Sequence, residues 1–158
     1  MSLDSQSVTI YTDGACIGNP GPGGYGAVLI WGQDRQEISG GYRLTTNNRM
    51  EMIAAIAALE SLPSPCQVKL YSDSQYLINA INKGWAKKWR ANNWQRTAKE
   101  KAKNPDLWAK LLALGDRHQI SWHWVRGHAG HVENERCDRL AVSAARQPNL
   151  AIDLGFKP

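Results

Sequence analysis

Two stretches of this sequence share a design that restricts how the chain can fold. In residues 10–14 (IYTDG) and 70–74 (LYSDS), an aspartate stands two residues after a tyrosine and is followed by a small residue. Because side chains alternate between the faces of a strand, Asp13 shares a face with Tyr11 and leaves the sheet at its end. We expect the two strands to lie side by side, so that Asp13 and Asp73 meet at one edge. Two carboxylates in that position repel each other and favour a bound cation.

The rest of the sequence predicts an α/β fold in which a mixed sheet is flanked by helices. Residues 19–24 (NPGPGG) indicate a turn, and the polar link over 32–35 favours a hairpin within a three-stranded antiparallel meander. A helix over 50–62 then leads to a strand over 67–72, which should run parallel to the first strand. The other predicted elements are strands over 26–31, 38–44 and 120–125, helices over 74–82, 106–114 and 132–146, and a helix in the intervening basic segment.

Composition indicates one cytoplasmic domain. The chain has 158 residues, with 42% hydrophobic and 21% charged residues, and contains no apolar run long enough to cross a membrane. Residues 1–7 are polar and do not resemble a secretion signal. The three cysteines, Cys16, Cys66 and Cys137, lack CxxC spacing, which argues against a disulfide framework or a cysteine zinc site. A reducing compartment is therefore expected.

The positive charge is concentrated in residues 83–103. This segment holds eight Lys or Arg residues and one acid, whereas the rest of the chain is slightly acidic. Trp85, Trp89 and Trp94 lie within it, and basic residues interleaved with aromatics are typical of nucleic-acid binding. Core packing is the alternative for the tryptophans, and it is the stronger one for Trp89 and Trp94.

Two further acids accompany the strand-end pair. Glu51 opens the first long predicted helix and Asp138 lies in the last one. Each acid alone has an ordinary explanation, as a turn residue, a helix cap, a dipole-stabilised Glu or the partner of a nearby Arg. Together, four converging carboxylates require a counter-charge, and oxygen ligands select hard cations such as Mg²⁺ or Mn²⁺. Paired divalent ions about 3.5–4 Å apart serve in-line displacement at phosphorus, so the acids indicate phosphodiester chemistry.

A histidine in a glycine-flanked loop adds a candidate proton carrier. His128 lies in residues 126–131 (RGHAGH), just before the last predicted helix. A loop histidine is usually incidental, but beside a metal site it becomes a candidate for proton transfer.

Five blocks of the sequence, in this order, resemble the signature blocks of bacterial type-1 ribonuclease H. The blocks are TDG at 12–14, GNPGPGG at 18–24, TNNRME at 46–51, SDSQY at 72–76, and VRGHAGH with ENERCD over 125–138. The resemblance covers about residues 8–146. It implies a five-stranded mixed sheet flanked by helices and cleavage of the RNA strand of an RNA/DNA hybrid with two Mg²⁺ ions, leaving 5′-phosphate and 3′-hydroxyl ends. It also implies that the catalytic and metal-binding acids are Asp13, Glu51, Asp73 and Asp138, assisted by His128.

The resemblance and the local chemistry together give a set of expected substrate contacts. The amides near the acids can hydrogen-bond 2′-hydroxyl groups, which distinguish RNA from DNA, although turn and cap roles would also explain them. The basic segment matches the protruding handle of the family. The expected contacts are Asn19, Thr46, Asn47, Asn48, Gln75, Trp85, Lys87, Lys88, Trp89, Arg90 and Asn104.

Two other functions remain open from the sequence. One is a DNA-cutting relative of the same fold, such as a transposase or junction nuclease, which the amides disfavour. The other is a non-catalytic binder of hybrids or duplex RNA, which the presence of all four acids disfavours. We expect a monomer with a single catalytic domain over residues 1–158, a core over about 8–146, a loosely held tail over 147–158, and no separate hybrid-binding domain.

Overall fold

A five-stranded mixed sheet forms the centre of the protein in a computed structural model that describes residues 7–127 and 130–158. Its strands are β1 (Ser7–Cys16), β2 (Gly21–Trp31), β3 (Asp34–Thr45), β4 (Gln67–Ser72) and β5 (Gln119–Trp124). They lie in the order β3-β2-β1-β4-β5. β2 pairs antiparallel with β1 and β3, whereas β4 pairs parallel with β1 and β5. The predicted α/β fold with an antiparallel meander followed by parallel strands is confirmed.

Five helices accompany the sheet in the described part of the chain. They are α1 (Asn47–Glu60), α2 (Gln75–Asn82), α3 (Trp85–Ala91), α4 (Pro105–Arg117) and α5 (Val132–Ala145). Thr46 caps α1 by accepting a hydrogen bond from the Arg49 backbone N–H (3.2 Å), and Ser74 caps α2 in the same way through Leu77 (3.1 Å). Both helices therefore begin beside the strand ends that carry the aspartates. Within the described residues, no helix has both the length and the apolar character that crossing a bilayer requires.

Strand β2 begins earlier than the sequence indicates. The glycines of the segment predicted as a turn lie at the start of the strand, which runs from Gly21. Two glycines of β2 admit α5. A β-carbon on Gly24, in the predicted turn, would collide with the Ala141 carbonyl oxygen, and one on Gly26, in the predicted strand, would lie 2.6 Å from the Cys137 carbonyl oxygen. Gly24 and Gly26 thus allow close packing of α5 on the strand and do not form a turn.

Helices α1 and α5 cover opposite faces of the sheet. Gly14 pairs with Tyr25 in the β1–β2 ladder, and a β-carbon on Gly14 would run into the α1 backbone at Met50. Asp13 pairs with Gly26, whose open side faces α5. Since neighbouring residues of a strand point to opposite faces, the end of β1 lies between the two helices and places Asp13 within reach of both.

The C-terminal tail is tied to the sheet and to α1. The Arg43 backbone N–H donates to the Ala151 carbonyl oxygen (2.9 Å), and Asp153 is buried against Arg49. This differs from the expectation of a loosely held tail, because the segment is fixed by contacts with distant residues rather than by a periodic pattern of its own.

Candidate active site

The ends of β1 and β4 bring two of the predicted acids together. Thr12 pairs with Ser72 in the parallel ladder, so Asp13 and Asp73 occupy the next position on each strand. The rings of Tyr11 and Tyr71, one pair earlier, stack with centroids 5.1 Å apart. The register inferred from the repeated tyrosine and aspartate pattern is therefore the register of the structure.

Helix α1 adds a third acid to this pair. The Gly14 backbone N–H donates to Asp13 Oδ1 (2.9 Å) and also to Glu51 Oε1. One ligand atom from each of Asp13, Glu51 and Asp73 lies within 4.8 Å of the others. This close approach depends on Gly14, because any side chain there would meet the backbone of α1.

Burial and mutual repulsion make this cluster unfavourable as three free carboxylates. Burial raises the pKa of Asp13 against the opposing hydrogen bonds from Glu51 and Gly14, and the charges of Asp73 and Asp138 raise it further. Burial also raises the pKa of Glu51 well above its ordinary value, with Asp13 and Asp73 adding to the effect. A divalent cation would reverse this balance by supplying the missing positive charge. The oxygen-only ligand set fits a hard cation.

The fourth acid lines the same cavity from the opposite helix. Asp138 of α5 borders a cavity of about 520 Å³ together with Asp13, Glu51 and Asp73. The structure thus brings all four predicted acids to one opening, three of them in mutual contact range and Asp138 at its wall.

The predicted amide contacts fall in two adjoining cavities. Asn47, Asn48 and Gln75 line the cavity of the four acids. A second cavity of about 790 Å³ shares Asn47 and Asn48 with the first. Its walls include three more of the expected contacts, Asn19, Thr46 and Asn104. The side chain of Asn19 also accepts a hydrogen bond from the Asn47 backbone N–H (3.2 Å), which fixes the loop against the start of α1.

The basic helix α3 lies apart from the acids. Lys87, Lys88 and Arg90 are exposed, and none of them borders the acid cavity. Trp85 is 37% exposed, with Lys83 Nζ 5.5 Å from its ring centroid. These side chains form an outward-facing cationic surface.

Trp89, one of the expected substrate contacts, lies in the core, which is the alternative that the sequence favoured for it. Its side chain is 8% exposed and its ring meets Trp108 edge-on, with centroids 5.9 Å apart. Tyr76 packs on it at 6.5 Å. The seven-residue helix α3 must bury one face against α2 and α4, and Trp89 supplies that face. Trp94 is also packed against the core.

His128 lies outside the described residues, so its predicted role stays a prediction. Its neighbour Gly127 is described, and a β-carbon there would lie 2.7 Å from Asp73 Oδ2. The backbone just before His128 therefore passes close to the Asp73 carboxylate.

Two residues near the site were missed by the sequence analysis. Arg49 is 2% exposed and forms ion pairs with Asp106 and Asp153. Trp124 donates its indole N–H to the Asp73 carbonyl oxygen (3.1 Å). A basic residue among the apolar positions of α1 was the available signal for Arg49, but its partners are 57 and 104 residues away in sequence.

Comparison with known proteins identifies the family. A family model described as RNase H matches residues 5–146. The chain belongs to the RNase H family. Ribonuclease H of Syntrophus aciditrophicus is 65% identical over 151 residues, covering 96% of this chain and 87% of the relative. Ribonuclease HI of Synechocystis is 61% identical over 158 residues, covering 99% and 98%. The predicted resemblance to bacterial type-1 ribonuclease H, and with it the assignment as a ribonuclease H enzyme, is confirmed.

A solved structure supports the same family assignment. The crystal structure of LC9-RNase H1, described as a type 1 RNase H with the type 2 active-site motif, is 30% identical and aligns with a TM-score of 0.81. The match covers 92% of this chain and 74% of that protein. Members of this family are metal-dependent, and the cluster of Asp13, Glu51 and Asp73 is a suitable place for a metal ion.

Proposed function

We propose that this protein is an endonuclease that hydrolyses the RNA strand of RNA/DNA hybrids and leaves 5′-phosphate and 3′-hydroxyl ends. The observation that carries the proposal is the cluster of carboxylates at the adjoining ends of β1 and β4, in a chain of the RNase H family. Oxygen ligands packed this closely suit divalent ions, and such ions are the usual aid to displacement at phosphorus.

The four acids are proposed to hold two Mg²⁺ ions, for which Mn²⁺ could substitute. Bound divalent ions supply a lowered pKa for the attacking water and a counter-charge for the leaving 3′ oxygen. Asp13, Glu51 and Asp73 would hold metal at the centre of the cavity, and Asp138 would hold it from the α5 side. The Gly14 N–H, which contacts both Asp13 and Glu51, orients their oxygens before any ion arrives.

His128 is proposed to carry a proton to or from the reacting groups. The proposal rests on its position in the sequence, between Gly127, which lies against Asp73, and the start of α5. Proton transfer by a side chain contributes about 10²- to 10⁴-fold to a rate.

The amides around the acids are proposed to select RNA. Asn47, Asn48 and Gln75 share the acid cavity, and Asn19, Thr46 and Asn104 continue beside it. Amide and hydroxyl groups can both donate to and accept from a 2′-hydroxyl, which is the chemical mark of RNA in a shallow minor groove. Trp85, Lys87, Lys88 and Arg90 would contact the duplex backbone at a distance from the scissile bond.

We further propose that the protein acts as a monomer of one catalytic domain in the cytoplasm. The support for this compartment is that Cys16, Cys66 and Cys137 are all free thiols, and that two of them are buried. Such a chain is suited to a reducing compartment.

The decisive experiment compares three duplexes of one sequence: RNA/DNA, RNA/RNA and DNA/DNA. With Mg²⁺ we expect cleavage of the RNA strand of the hybrid alone, with 5′-phosphate ends identified by labelling. Binding without metal-dependent cleavage would indicate a non-catalytic hybrid binder. Cleavage of the DNA/DNA duplex would indicate a DNA-cutting member of the fold.

A further inference from the structure

The carboxylate of Asp73 is held in place differently from that of Asp13. The Gly14 backbone N–H donates directly to Asp13 Oδ1 (2.9 Å). In the described part of the chain, by contrast, no N–H group donates to the carboxylate of Asp73. One of its oxygens nevertheless lies within 4.8 Å of ligand atoms of Asp13 and Glu51. Its position must therefore be set through the backbone that carries it.

The end of β5 fixes both peptide groups that flank the Cα of Asp73. β4 ends at Ser72, whose carbonyl oxygen accepts a hydrogen bond from the Val125 backbone N–H (2.9 Å). The carbonyl oxygen of Asp73 itself accepts from the indole N–H of Trp124 (3.1 Å). In that same peptide group, the Ser74 backbone N–H donates to Ser72 Oγ (3.1 Å). Because peptide groups are planar and two of them meet at each Cα, fixing both fixes the direction of the Cα–Cβ bond.

Trp124 is the member of this arrangement that core packing does not explain. Trp122, two residues earlier on the same face of β5, is 9% exposed, whereas Trp124 is 43% exposed. Trp124 is the last residue of β5 and pairs with Ser72, so its ring stands beside the point where Asp73 leaves the sheet. Phenylalanine would supply a similar ring but no N–H donor. The hydrogen bond to Asp73 therefore accounts for a tryptophan at this place.

We propose that Trp124 is a positioning residue, which holds Asp73 in the orientation that binds metal by donating its indole N–H to the Asp73 backbone. The inference rests on the proposed function, because it takes Asp73 as a ligand of the divalent ions. Trp124 acts through Asp73 rather than on the substrate. Its loss should therefore weaken metal binding and leave hybrid binding unchanged.

The first test measures Mg²⁺ binding to the free protein by calorimetry, with Trp124→Phe. The net contribution of one neutral hydrogen bond corresponds to a change of about 2- to 12-fold in an equilibrium constant, so the dissociation constant of Mg²⁺ should rise by that factor. Trp31→Phe is the matched control, since Trp31 is a half-buried tryptophan at the end of β2, beside the start of β1 and far from Asp13. It should keep the wild-type affinity. Thermal unfolding without metal verifies that both variants are folded.

The second test uses hybrid cleavage over a Mg²⁺ series. In Trp124→Phe the Mg²⁺ concentration for half-maximal rate should rise by the same factor as the dissociation constant. Saturating Mg²⁺ should restore most of kcat, and KM for the hybrid should stay at the wild-type value. A variant that is merely less stable would show none of these changes while it remains folded.

The third test observes the hydrogen bond in the wild type by NMR. The chain has seven tryptophans, and the indole N–H signal of Trp124 is identified by its absence from the spectrum of Trp124→Phe. During a Mg²⁺ titration of the free protein this signal should shift with the midpoint found by calorimetry, whereas the signal of Trp31 should not. A Trp124 signal that does not respond to Mg²⁺ would overturn the inference.

The outcomes separate this inference from the proposed function. An unchanged Mg²⁺ dissociation constant in Trp124→Phe overturns the positioning role, and a raised KM for the hybrid alongside it would make Trp124 a substrate contact instead. If the wild type binds Mg²⁺ and Trp124→Phe binds it more weakly, but neither cleaves the hybrid, the proposed function fails while the positioning of Asp73 stands. A wild type that binds no Mg²⁺ overturns both.

Discussion

At the scale of single residues, Asp13 and Asp73 show how little a side chain needs to change for the site to fail. Both are held at strand ends, and Asp13 is only 5% exposed. Replacement by asparagine keeps the shape but removes one negative charge from a cluster whose members repel one another. The metal site should therefore be lost while the fold is kept.

We predict that Asp13→Asn or Asp73→Asn abolishes cleavage and makes the unfolding temperature insensitive to Mg²⁺. An ion that binds only the folded state stabilises it by about 2.7 kcal/mol at a hundredfold excess over its dissociation constant. Hybrid cleavage and thermal unfolding across a Mg²⁺ series measure both effects, and Glu100→Gln, an exposed acid in the basic segment, is the control. Near-normal turnover at saturating Mg²⁺ would contradict the assignment.

The buried residue His118 makes the free energy of unfolding depend on pH. The residue is 3% exposed, and its Nδ1 accepts a hydrogen bond from the Cys66 backbone N–H (3.0 Å). Burial lowers the pKa of His118, and the charge of Arg117 lowers it further. The unfolded chain, with a histidine pKa of about 6.5, therefore binds a proton that the folded chain resists. This contribution to stability is complete above that value and is lost as the pH falls toward the folded pKa.

We predict that His118→Asn flattens the loss of stability between pH 7.5 and pH 5. The asparagine oxygen can replace Nδ1 as the acceptor for Cys66 but does not titrate. The wild type should lose up to about 1.4 kcal/mol per pH unit from this one proton, as measured by urea unfolding at each pH. His123→Asn, at an exposed position, is the control. Parallel pH profiles for the wild type and His118→Asn would rule this explanation out.

At the scale of elements, α3 combines a buried face with a cationic one. Trp89 packs into the core, whereas Lys87, Lys88 and Arg90 point outward. The sequence predicted the charge of this segment from composition alone. It favoured core packing for Trp89 and Trp94, but it could not show their packing partners, because those depend on how α2 and α4 meet α3 in three dimensions.

We predict that replacing Lys87, Lys88 and Arg90 together by glutamine weakens hybrid binding and reduces its salt dependence. Two or three lost phosphate contacts should lower the slope by about 1.5 to 2.5, measured as a salt titration in Ca²⁺. DNA duplex binding should weaken in parallel, because phosphates carry no sugar identity. A triple variant with the wild-type slope would mean that α3 is only a solvated surface.

At the scale of the whole molecule, Arg49 joins three segments that are far apart in sequence. It links the start of α1 to Asp106 in α4 and to Asp153 in the tail. Both Arg49 and Asp153 are buried, with side chains 2% and 5% exposed. A buried carboxylate that loses its partner is strongly destabilising.

We predict that Arg49→Met lowers the free energy of unfolding by about 3–5 kcal/mol. Arg96→Met is the matched control, because Arg96 pairs with Glu100 on the surface and such pairs contribute about 0–1 kcal/mol. Urea unfolding of both variants provides the comparison. Equal losses of unfolding free energy in the two variants would show that the buried Arg49 ion pair contributes no more to stability than the surface pair of Arg96.

The sequence predicted the order and type of nearly every element, as well as the four acids, because those features depend on local patterns. Strand alternation was enough to place Asp13 and Asp73 at one edge. The tail, the Arg49 network and the packing partners of Trp89 were not predictable, since each depends on residues distant in sequence. Gly24 was predicted to lie in a turn for the same reason: its close approach to α5 is visible only once that helix is in place.

Gly26, also in β2, sets a dimension of the site. Cys137, whose carbonyl oxygen lies where a β-carbon of Gly26 would be, precedes Asp138 directly in α5. The thickness of the layer between β2 and α5 therefore fixes how far the fourth acid stands from the other three. A methyl group added at Gly26 would push α5 away from β2 and widen the opening between Asp138 and the other acids, although all four acids would still be present. The spacing of the proposed metal-binding acids therefore depends on the absence of a side chain at this position of β2.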